Sequence, residues 1–177
     1  MEPPQLEQWI EPQIEPWMRG PIAGVHPITS PFLYSMIQVR EDVARWTAGL
    51  TTVQLWERPL DVGPAGFHIR HIGGSVERLA TYLKGASLTA EQLDELKRES
   101  EPGASLDQLL IRLEDQFLYA EAIVKSLDPR TWTDPRTVGR KALPTTVGGL
   151  VHHMAEHSQR HLGELIVTVK LLRGLNR

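Results

Sequence analysis

Four long stretches of this chain repeat their apolar residues every three to four positions, and none repeats them every two. That spacing gathers apolar side chains on one face of a helix, whereas a half-buried strand needs alternation. Phe32, Leu33, Met36, Ile37, Val39, Val43 and Trp46 form the first set, and Ile69, Ile72, Val76, Leu79, Ala80 and Leu83 the second. Leu106, Leu109, Leu110, Leu113, Phe117, Ala120 and Val124 form the third, and Val147, Leu150, Met154, Leu165, Val169 and Leu172 the fourth. The expectation is an all-α chain whose four long helices make a four-helix bundle, an architecture that builds metal and cofactor sites from facing core side chains.

Local punctuation sets the ends. Thr29-Ser30-Pro31 offers a hydroxyl cap and a proline at the first helical position, and Gly49 with Thr51-Thr52 closes that helix. Trp56 to Gly66 carries two prolines and two glycines and reads as a loop. The second helix spans about Phe67 to Leu83 and stops at Lys84-Gly85. Its Gly73-Gly74 pair costs roughly 1 kcal/mol per glycine relative to alanine, which close approach of a neighbouring helix would explain. Thr89 with Gln92, and again Ser105 with Gln108, form capping boxes that open a short helix and the third long one. Asp128-Pro129 ends the latter, Thr131 to Pro144 reads as a loop, and Thr145 or Thr146 caps the last helix, to about Leu172.

Residues 1–28 hold six prolines and cannot sustain a long helix. Leu6, Trp9, Ile10, Ile14, Trp17 and Met18 are nonetheless too apolar for a free tail, so this extension is expected to pack as short turns on a single domain spanning 29–177. These residues and the apolar outer helix positions also suggest a homodimer. At 177 residues the chain can bury a real core. A net charge of -3 argues against a nucleic-acid partner, and no apolar run approaches a membrane span. The acidic, proline-broken start resembles neither a signal nor a transit peptide. Cysteine is absent, which excludes disulfides, thiolate ligands and a cysteine nucleophile and makes the cytoplasm the expected location.

Chemistry concentrates in Leu150 to Leu165, which holds four of the seven histidines, with His153, His157 and His161 four residues apart. Imidazoles at i and i+4 share a helix face and can close on one ion. With His153 at zero, His157 falls at about 40° and His161 at about 80°, against an apolar centre near roughly 110°. His157 and His161 therefore face the core, His153 is peripheral and His152 solvated. His153 to His157 also fits H-x-x-E-H, but Glu156 lies at about -60° and faces water, so that match is set aside. A catalytic zinc site usually takes three protein ligands and keeps a position open. The second helix supplies two candidates for the third, His68 and His71, and the wheel does not choose, since His68 lies nearer the apolar centre. The alternative for all of them is a hydrogen-bonded core without metal.

GFHIRHIGGSVERLATYLKG and LPTTVGGLVHHMAEHSQRHLGELI resemble the two signature blocks of the DinB/YfiT-like superfamily, and the likeness runs from about Ser30 to the C-terminus. The resemblance implies a DinB/YfiT-type bundle holding a divalent metal through one histidine of the second helix and an H-x-x-x-H pair in the last. It places those roles on His71, His157 and His161, leaving His68 and Arg160 to the ligands' surroundings or the substrate. Glu164 stands where the family usually has glutamine; it lies in the histidine stripe and could accept a hydrogen bond from a ligand imidazole, the favoured role, with binding the metal or acting as a base as the alternatives. Zinc is the first expectation for the ion, with nickel, iron or manganese as alternatives. The resemblance also implies a small-molecule substrate and an enzyme using a low-molecular-weight thiol, such as bacillithiol or mycothiol, in metal-dependent S-transfer. The other readings are a metal-dependent hydrolase and a non-catalytic metal-binding stress protein.

Overall fold

Six α-helices and one short hairpin account for most of residues 14–175, the part of the chain that the computed structural model describes. The helices are α1 (Ser30–Thr47), α2 (Thr52–Trp56), α3 (Ala65–Leu83), α4 (Ala90–Arg98), α5 (Leu106–Lys125) and α6 (Val147–Leu175). The strands β1 (Pro135–Val138) and β2 (Leu143–Thr146) pair antiparallel, Pro135 opposite Thr146 and Val138 opposite Leu143. The described residues are mostly helical, with little strand.

The two expected capping boxes form, but the hydroxyl cap expected for α1 does not: Thr29 caps with no side-chain bond, and its Oγ1 donates to the His26 carbonyl at 2.9 Å. Thr89 and Ser105 accept from the backbone N–H of Gln92 and Gln108, whose side chains return to the cap N–H. At the start of α6, Thr146 Oγ1 accepts from Gly149 N at 3.0 Å. Two elements differ from the sequence reading. A third capping box, Thr51 with Gln54, turns the end of the first segment into α2, too short to show an apolar period. The stretch from Thr131 to Pro144, expected as a loop, contains β1 and the first two residues of β2; proline in both strands and the lack of apolar alternation concealed the hairpin.

The long helix α3 packs on α5 and α6, and α1 packs on α6 and more lightly on α5. Met36, Ile69, Ile72, Phe117, Met154 and Leu165 are fully enclosed between them. Burying a side chain of this size stabilises by roughly 1.5–3 kcal/mol. Gly73 faces α5 so closely that a Cβ there would overlap Oε1 of Gln116, so the glycine does serve helix approach. Of the N-terminal extension, Leu6, Trp9 and Ile10 lie outside the described residues, while Pro16–Met18 forms a single 3-10 turn. Arg19 donates to both carboxylate oxygens of Glu41 on α1, and Tyr34 Oη donates to the Gly20 carbonyl at 2.9 Å.

The short helix α4 is anchored for a purpose. Gln92 Nε2 donates to Thr81 Oγ1 of α3 at 2.9 Å, both groups buried. At its C-terminal end Arg70 Nη1 donates to the carbonyls of Arg98 (2.8 Å) and Glu101 (2.7 Å), where free helix carbonyls favour a cation. The same guanidinium lies over the Trp56 ring, 4.7 Å from its centroid. These contacts fix the residue that follows α4, Glu99.

Candidate metal centre

Helical spacing stacks His157 and His161 on α6, and the packing of α3 on α6 brings His71 between them. The His71 and His161 ring centroids lie 4.4 Å apart and those of His157 and His161 4.6 Å. One nitrogen from each of the three falls within 4.8 Å of the others, a group that could hold a metal ion. His71 Nε2 and His157 Nε2 are 3.0 Å apart. Two nitrogens on a tetrahedral zinc, at 2.0–2.1 Å each, are about 3.3 Å apart, so this pair is close to the separation that an ion requires.

The backing of His71 was not foreseen from sequence. Its Nδ1 lies 2.6 Å from Glu99 Oε2, a carboxylate whose side chain is only 6% exposed. Arg78 Nη1 pairs with the other oxygen at 2.7 Å. With a buried carboxylate on Nδ1, the ring carries its proton there and turns the Nε2 lone pair toward His157, the arrangement that orients metal-bound imidazoles. Gly74 makes room for it: a Cβ would sit 2.7 Å from Arg78 Nη1 and 2.9 Å from Glu99 Oε1. Phe67 stacks on the His71 ring, at 5.3 Å between centroids and 19° between planes.

His161 is held from the other side, with Nδ1 3.1 Å from Glu164 Oε2 and 3.1 Å from His68 Nδ1. Those contacts engage Nδ1 and leave Nε2 for the cluster. His68 is itself only 4% exposed, in keeping with its place near the apolar centre of the wheel. Among the described residues, the buried Nδ1 of His157 has no hydrogen-bond partner. His152 and His153 are exposed, and Glu156 pairs with Arg160 on the solvent side. Arg160 thus lines a neighbouring groove and bears on the histidines through its charge.

Burial drives the electrostatics. It pushes His157 down to about 4, helped by His161, His71, His153 and Arg160. It also pushes His68 down to about 4, against the opposing pull of Glu164. His161 is lowered first by burial and then by His71, again opposed by Glu164. Imidazoles depressed in this way are neutral at pH 7, the form that binds metal. A groove of about 600 Å³ opens beside them, lined by Val62, Gly63, His68, Arg160, Gly163, Glu164, Val167 and Thr168. Its size suits a small ligand.

Glu99, Arg78 and Phe67 had no signal of their own in the sequence. Glu99 sits in an acidic Glu-Ser-Glu run that reads as solvated chain, and only the placement of α4 turns it inward. Among the described residues no helix is long and apolar enough to cross a membrane. No curated protein matches the chain. The sequence pattern of the DinB superfamily matches residues 36–165, which takes in α3, α5, the histidine-bearing part of α6 and the larger part of α1. This chain belongs to the DinB superfamily.

Proposed function

We propose that this protein is a divalent-metal enzyme in which His71, His157 and His161 hold the ion and a fourth position stays open to a small-molecule substrate. The observation that carries the reading is the convergence of three imidazole nitrogens within 4.8 Å, in a group that includes no carboxylate. Zinc is the ion that a neutral three-imidazole set suits best, with nickel, iron or manganese as alternatives. A divalent ion so held supplies a nucleophile at neutral pH by stabilising the deprotonated form of a thiol or of water.

The protein's own groups have definable tasks. Glu99 holds the proton of His71 on Nδ1, and Arg78 keeps that carboxylate paired. Glu164, half-exposed at the groove, orients His161 and can take up the proton a bound nucleophile gives up. Val62 and Val167 present apolar surface to a substrate, and Arg160 a charge.

Metal-dependent S-transfer from a low-molecular-weight thiol is the reaction we favour, on the strength of the family and the open groove. The half-exposed Glu164 carboxylate also favours a second reading, a metal-dependent hydrolase in which it serves as general base. Incubating the zinc- or nickel-loaded protein with a panel of thiols and electrophiles tests both. Thiol consumption that disappears in His161→Ala is the expected result. Ester or amide cleavage without thiol would move the assignment to the hydrolase, and neither activity would leave a non-catalytic metal-binding protein.

We further read residues 29–177 as one four-helix bundle of the DinB/YfiT type and residues 1–28 as an extension packed on it. The pairing of α3 with α5 and α6, of α1 with both, and of Arg19 with Glu41 supports this. Exposed Trp17, Met18, Ile111 and Leu118 support a homodimer.

A further inference from the structure

Beside the three-histidine cluster lies a second set of potential ligands that shares one member with it. His68 Nδ1 and His161 Nδ1 are 3.1 Å apart, His161 Nδ1 and Glu164 Oε2 3.1 Å, and His68 Nδ1 and Glu164 Oε2 3.4 Å. Ligands on one tetrahedral zinc, at 2.0–2.2 Å, stand about 3.3–3.6 Å apart, so this triangle is nearly the face of a coordination tetrahedron.

Proton counting leads to the same place. The Nε2 edge of His68 faces the Gly63 backbone, whose carbonyl can accept a hydrogen bond from the ring. Thr168 Oγ1 fixes the Gly63 carbonyl by donating to it at 3.0 Å. A proton on Nε2 leaves a lone pair on His68 Nδ1, pointed at a carboxylate oxygen and another ring nitrogen. Three electron-rich atoms then converge with a single hydrogen, that of His161 Nδ1, to share among them. A cation at their centre satisfies all three, and the buried His68 cannot turn to water instead.

We infer that His68, His161 and Glu164 form a second divalent-metal position, joined to the first through the His161 ring. This rests on His161 also serving the three-histidine site through Nε2. Binding of the second ion displaces the Nδ1 proton of His161 to solvent, and the imidazolate that remains donates one nitrogen to each ion. Two metal–nitrogen bonds of 2.0–2.1 Å across one ring put the ions about 6 Å apart. The second ion's remaining position faces the groove bounded by Gly63, Val167 and Thr168. Glu164 is the residue that makes the set possible, because a glutamine there would bring no charge to a +2 ion.

Titrating metal-free protein with Zn²⁺, with calorimetry and elemental analysis after gel filtration, tests the inference without reference to activity. Wild type should take up two tight equivalents, Glu164→Ala one, His157→Ala one and His161→Ala none. The Glu164 side chain is 52% exposed, so its removal should leave the circular dichroism spectrum intact. A single equivalent that survives Glu164→Ala and is lost in His157→Ala would overturn the second position and leave the three-histidine site standing. A single equivalent with the opposite pattern would support the His68, His161 and Glu164 ligand set but overturn the three-histidine site and, with it, the shared ring. One equivalent retained by His161→Ala would overturn the shared ring, and no uptake by wild type would overturn both.

Discussion

Replacing Glu99 by glutamine isolates what lies behind His71, one of the three proposed ligands. The wild-type carboxylate is buried, accepts from His71 Nδ1 at 2.6 Å and pairs with Arg78 Nη1 at 2.7 Å. Glutamine keeps the shape but not the charge. Its amide no longer compels the proton onto His71 Nδ1, and the imidazole loses basicity as the proposed ligand. Loss of such a backing group costs metal affinity roughly 10–100-fold, equivalent to about 1.4–2.8 kcal/mol. The fold should suffer separately, because Arg78 is left buried without its partner, at a cost of up to about 3–5 kcal/mol. The two effects can be told apart. Competition with a chromogenic chelator at 15 °C gives the zinc affinity of whatever protein is folded, and urea denaturation with chelator present gives the metal-free stability. The expected outcome is a weaker zinc site together with a less stable apo form. Zinc affinity within twofold of wild type, in a folded Glu99→Gln protein, would refute the orienting role of Glu99.

Other consequences are direct. His153→Ala should leave metal content near wild type while His161→Ala abolishes it, as read by elemental analysis of purified protein. The apo form should lose stability as pH falls from about 6.5 toward about 4, because the unfolded chain takes up protons that buried His68 and His157 resist, both having been pushed down to about 4. Denaturant midpoints measured at pH 7, 5.5 and 4.5 with chelator should therefore decline in that order, and a flat profile would contradict the depressed values. Ser105→Ala removes the cap of α5 and should cost about 0.5–2 kcal/mol in urea denaturation.

What could be read from the chain was whatever depends on neighbours a few residues away. The capping boxes at Thr89 and Ser105 act within one helical turn, so their partners are visible in the sequence. The stacking of His157 on His161 is equally local. The choice between His68 and His71 is not, because a helical wheel reports only depth relative to the apolar centre. It put His68 deeper, and that residue is the more buried of the two. Which of them meets His157 depends on the rotation of α3 against α6, a property of two helices at once. The position of Glu99 depends on more still: Arg70 holding the end of α4, Gly74 leaving space, and Arg78 supplying the counter-charge. Nothing local in the run from Glu99 to Glu101 carries that information. The hairpin escaped notice for a different reason, since its four-residue strands bear prolines and no apolar alternation.

The decisive observation is an anomalous difference map from crystals of the zinc-loaded protein. A peak within about 2.0–2.1 Å of one nitrogen from each of His71, His157 and His161 is expected, with one coordination position free of protein atoms. No peak among these three rings, or one closed by a fourth protein side chain, would contradict the proposed open metal centre.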